Sequence, residues 1–109
     1  MAGVRNAGPP DPRAYRRLTA SEWDERESVF EEALRRVTET LERSQHVHQQ
    51  GYEVAAVGLL KYADVLLARV NLALARAKAG DACWGDALDD PGRDAEVEAW
   101  VRAQVAHAD

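Results

Sequence analysis

Apolar residues recur at helical spacing along three stretches of this chain. In the first, Trp23, Phe30, Leu34, Val37 and Leu41 form a seam that continues through Ser44 to His48. Thr19 with Glu22 matches a capping box, and Ser21 with Asp24 offers a second cap, so a helix is predicted over about 21–50. Its outer face carries Glu31–Arg35, Glu32–Arg36 and Glu39–Arg43, each at i,i+4 in the favoured order, the mark of a solvated surface. Gly51 is the natural stop, because glycine takes the left-handed conformation that closes a helix.

A second helix is predicted over 52–79, ended by Gly80. Its wide apolar face holds Leu59, Tyr62, Ala63, Leu66, Val70, Ala73, Leu74 and Ala77. Val65 and Leu72 fall among the polar positions, so this helix is expected to be buried on more than one side. Residues 81–93 read as an irregular connection, with Pro91-Gly92 as a turn. Asp94 is placed to cap a short last helix, about 95–107, that buries Val97, Trp100, Val101 and Val105. The fold class that follows is all-α: a long antiparallel helical hairpin plus a short C-terminal helix. One open apolar face would remain, and a second copy could cover it to complete a four-helix-type bundle.

Composition agrees with helices. The 109 residues suffice for one modest core, apolar types make up 46%, and alanine, leucine, glutamate and arginine dominate. Residues 1–18 read as a flexible basic tail before a single helical domain, 19–109. The tail has four arginines against one aspartate, a net of +3, which leaves −8 of the total −5 for the rest. That acidic body disfavours nonspecific nucleic-acid binding. The first ten residues lack the apolar core of a signal peptide, and Lys61, Asp64, Arg69, Arg76 and Lys78 interrupt the most apolar stretch, so no membrane span is expected. The single cysteine fits a reducing, cytoplasmic setting. Twelve arginines against two lysines hint at a GC-rich bacterial genome.

Little metal or cofactor chemistry suggests itself. His46 and His48 point about 200° apart on a helix and cannot share an ion. Glu42 and His46 lack the second ligand set of a di-metal bundle. Asp86, Asp89, Asp90 and Asp94 do not have calcium-loop spacing, and Cys83, beside Trp84, reads as a buried structural thiol. No cofactor-binding pattern is present. In the second helix, Asp64, Asn71 and Lys78 form one polar stripe and Arg69 and Arg76 another. Either the stripes are solvated, or Asp64 and Arg69 set register in an interface whose centre is Leu66, Val70 and Ala73.

From Glu42 to Gly80 the chain resembles the HEPN superfamily of small helical-bundle proteins. The similar residues are Gly51-Tyr52-Glu53-Val54-Ala55, Leu60-Lys61-Tyr62-Ala63, Ala73-Leu74 and Gly80. The resemblance implies a helical bundle and, for catalytic members, RNA cleavage by an arginine with a histidine four to six residues later. Arg43/His48 has that spacing but precedes the glycine turn. Arg102/His107 lies in the last helix, nearer the expected place, with Ala103 where the family carries a polar residue.

Three functions compete. The first is a non-enzymatic interaction or assembly protein, homodimeric through its second helix, with room for another protein partner. The second is a HEPN-type ribonuclease or toxin–antitoxin component that uses Arg102 and His107. The third is a helical-bundle binder of a small ligand around Trp84 and Trp100.

Overall fold

The computed structural model describes residues 20–107, with side chains over 25–106. The predicted tail, Thr19 and the side chains of 20–24, among them Trp23 and the predicted caps Ser21 and Asp24, lie outside the described residues. Three α-helices follow one another: α1 (Ala20–Gln49), α2 (Glu53–Lys78) and α3 (Pro91–His107), with a 3-10 turn (Trp84–Leu88) before the last. The described residues include no strand. The fold is all-α, a long antiparallel hairpin joined by a C-terminal helix.

Both predicted glycine stops close their helices. Gly51 has φ 94°; its N–H donates to His48 O, and the Tyr52 N–H reaches back to Val47 O, both at 2.9 Å. This pair of bonds satisfies carbonyls that the helix end would otherwise orphan. Tyr52 then packs on the cluster that contains Val47, which sets the angle at which α2 departs. Gly80 repeats the arrangement at φ 82°, with Gly80 N–H to Ala77 O at 3.1 Å and Asp81 N–H to Arg76 O at 3.0 Å.

α1 is rotated from its predicted setting. The side chains turned to the core are Phe30, Ala33, Val37, Thr40, Ser44 and Val47, while Leu34, Leu41 and His48 are exposed. Small residues permit close approach: Ala55, Ala56, Ala63 and Ala73 of α2 are all buried. The Ser44 hydroxyl, 3% exposed, donates to Ala56 O at 2.7 Å and ties the two helices near the turn.

α2 packs against α1, the 3-10 turn and α3 within one chain, but Leu72, one of the two residues expected to be buried on its polar side, is 49% exposed. Near the Gly51 turn, Val47, Ala55, Ala56 and Leu59 close around Val101 of α3. At the far end Ala33, Val70 and Ala73 enclose Leu88 of the 3-10 turn. Beside them Trp84 stacks on Phe30 at 5.0 Å between ring centroids, and the Arg26 guanidinium lies 5.6 Å over the indole. The connection predicted as irregular is therefore a packed element. Cys83 corrects its expected burial: the thiol is exposed.

α3 begins earlier than the predicted 95. Pro91 occupies the first helical position, where a missing N–H costs nothing. Asp90 is the cap, its Oδ1 accepting the Arg93 N–H at 3.2 Å. Asp94 is thereby released from the capping role expected of it. The helix runs beside α1 in the same direction. Arg36 reaches Asp94 at 3.3 Å, and further along Arg43 pairs with Glu98. These two arginines do not form the predicted solvated pairs within α1, and Arg35, which stays local, is bound to Glu32 rather than to the predicted Glu31.

Candidate functional site

The 3-10 turn and α3 cover one face of the hairpin, and the opposite face is open. On α1 it presents Leu34 and Leu41; on α2, Val57, Leu60, Leu67 and Leu74. Each of these six is between 40% and 51% exposed. The leucines step by seven residues on both helices, so each row runs straight along its helix. The rows also match in level. Leu41 and Leu60 line one groove with Val57 and His48, and the equal rise of the two antiparallel helices puts Leu34 and Leu67, one heptad further from the turn, at a common level. A continuous apolar strip of this kind needs an explanation in a way that scattered surface leucines do not.

The covered face is secured by a polar cluster. Asp94 Oδ1 accepts from Tyr62 Oη at 2.6 Å and from Arg69 NH1 at 2.9 Å, while Oδ2 accepts from Arg36 NH2 at 3.3 Å. Side chains of all three helices thus meet on one carboxylate, with the Arg69 side chain only 11% exposed. Burial alone would raise the Asp94 carboxyl. The bonds from Tyr62 and Arg69, with the charges of Arg69 and Arg36, outweigh it and hold the group below its ordinary 3.8. Burial, then the bond to Asp94 and that carboxylate's charge, raises the Tyr62 hydroxyl above 10.0, against the pull of Arg36 and Arg69.

The residues predicted to form a self-association surface are divided by the structure. Leu66 (4% exposed), Val70 (7%) and Ala73 (0%) lie in the chain's own core and are not available to a partner. Arg69 is engaged by Asp94, and of the five only Asp64 is exposed. The physical reason is that α3 and the 3-10 turn already occupy the side of α2 that the sequence left free for a second molecule. Arg102 is exposed on α3, and the side chain of His107 lies outside the described residues. Arg43 and His48 are not brought together: Arg43 points to Glu98, whereas His48 lines the open groove. Trp84 and Trp100 share no pocket. Trp84 belongs to the Phe30 end of the hairpin, while Trp100 packs on Gly58, nearer the Gly51 turn.

Sequence reasoning expected an open apolar face but centred it on Leu66, Val70 and Ala73; the signal for its actual place was the seven-residue spacing of Leu34 and Leu41 and of Leu60, Leu67 and Leu74. No helix among the described residues is long and apolar enough to cross a membrane, and no three of their His, Cys, Asp and Glu side chains cluster as a metal site would require. No protein-family model, curated protein or solved structure matches this chain.

Proposed function

We propose that this chain is a non-enzymatic helical interaction protein that docks a partner on the open face of its α1–α2 hairpin. The observation that carries the reading is the aligned pair of leucine rows, half exposed along two helices that pack against each other and, on the opposite face, against the 3-10 turn and α3. Apolar area of this extent is a standing free-energy reward, about 25 cal/mol per Å², for whatever covers it.

The test compares the wild type with a Leu41→Glu/Leu67→Glu variant, using sedimentation for assembly and an apolar dye such as ANS for an uncovered face. The wild type is expected either to assemble or, as a monomer, to bind the dye; the variant, with unchanged far-UV circular dichroism, is expected to do neither. A wild-type monomer that binds no dye overturns the proposal. So does an assembly that survives both substitutions.

A further inference from the structure

We infer that the occupant of the open face is a second copy of this chain, laid so that α1 of each copy rests on α2 of the other; this depends on the docking reading above. Size is the first argument. From the level of Glu53 to that of Leu74 the face is roughly 33 Å long and two helices, or about 20 Å, wide. The footprint is therefore about 650 Å², close to the roughly 800 Å² per partner of a standard stable interface. One such hairpin matches another in length by construction, and the seven-residue rows have the spacing that lets leucines of facing helices interdigitate.

Charge at the rims selects the arrangement. The outer edge of α1 is net acidic, with Glu27, Glu31 and Glu42 against Arg35, while α2 balances Glu53 and Asp64 with Lys78 and with Lys61, which lies at the far side of that edge near Trp100. Placing α1 over α1 would set acid against acid. A two-fold axis parallel to the helices sets α1 over α2 of the partner subunit, antiparallel and at the same level. Glu42 then stands beside Lys61 of the partner subunit, and Glu27 about one turn from its Lys78. Asp64 and Glu53, the acids on the α2 edge, fall near the levels of Val37 and His48 and meet no like charge. All four helices have antiparallel neighbours across the interface, as in an up-down bundle.

The arrangement is tested by sedimentation equilibrium on the full chain, from about 1 to 100 μM. The wild type is expected to be dimeric and Leu41→Glu monomeric, with dimer association weakened more than about a hundredfold by a carboxylate buried twice across the axis. Leu67→Glu serves as a second variant, and circular dichroism checks that both remain helical. Glu42→Lys and Lys61→Glu are each expected to weaken the dimer about three- to tenfold, since symmetry repeats the pair. Mixed in equal amounts, these two single variants are expected to prefer the heterodimer, in which both pairs regain opposite charge. A monomeric wild type at 100 μM overturns the second-copy assignment, and dye binding by that monomer would leave the docking reading standing for another partner. A dimer indifferent to Leu41→Glu and Leu67→Glu overturns both. A dimer lost in those variants but without heterodimer preference overturns the α1-over-α2 arrangement.

Discussion

The indole of Trp100 occupies the volume that a side chain at position 58 would fill. A Cβ built on Gly58 overlaps the six-membered ring of Trp100, so the absence of a side chain lets α3 lie against the backbone of α2. Glycine inside a helix ordinarily costs close to 1 kcal/mol relative to alanine. Here the cost is offset by the closeness of α3, which brings Val101 to 1% exposure in the core beneath.

Gly58→Ala is therefore expected to destabilise the protein by about 1–3 kcal/mol, the range for overpacking a filled site. In a Trp100→Ala background the same change should stabilise by up to about 1 kcal/mol, because only the helix preference remains. Urea unfolding of the four proteins of this cycle measures both. A destabilising Gly58→Ala in the Trp100→Ala background would contradict the packing described.

The Tyr62–Asp94 bond predicts losses of stability at both ends of the pH scale. Asp94 titrates lower in the folded chain than its ordinary 3.8, so its contribution is complete above that value and is lost as pH falls through the lowered one. Tyr62 titrates above 10.0 when folded, so its contribution is complete below 10.0 and is lost as pH rises through the raised value. Thermal unfolding across pH is expected to show both limbs. Tyr62→Phe should flatten the alkaline limb. Asp94→Asn should flatten the acid limb and cost about 2 kcal/mol at neutral pH, because Arg69 and Arg36 lose their shared acceptor.

Leu66 and Leu67 are neighbours in sequence with opposite environments, 4% and 40% exposed. Leu66→Glu places a carboxylate in the core and is expected to cost about 4 kcal/mol or more, seen as lost helicity at 25 °C. Leu67→Glu should leave the helicity of the folded chain unchanged. Equal loss in both would mean that α2 is rotated from the position described.

Gly51 sits at φ 94° with open space where a Cβ would point, so a substitution there meets backbone strain and no clash. Gly51→Ala is expected to cost about 1–2 kcal/mol, and Gly51→Asn less, because asparagine tolerates the left-handed region better. Chemical denaturation of the two variants orders them.

The sequence by itself determined the local architecture. Two glycines that take positive φ ended α1 and α2 where spacing placed the ends, and the helical composition between them left no competing strand. The start of α3 was less legible, because Pro91-Gly92 reads as a turn until Asp90 is seen capping a helix that contains both. Tertiary structure alone decided which side of each helix is hidden. α1 carries two apolar rows about 40° apart around the helix, Phe30–Val37 and Leu34–Leu41, and periodicity ranks both as buriable. Close packing against the alanines of α2 selected the row with Ala33, Thr40 and Ser44 beside it and left the leucines outside. Likewise, helical spacing marks Leu66, Val70 and Ala73 as wanting cover but cannot say what covers them. Arg36, Tyr62, Arg69 and Asp94 are up to 58 residues apart, and no local pattern joins them; only the docking of α3 brought its carboxylate to the other three.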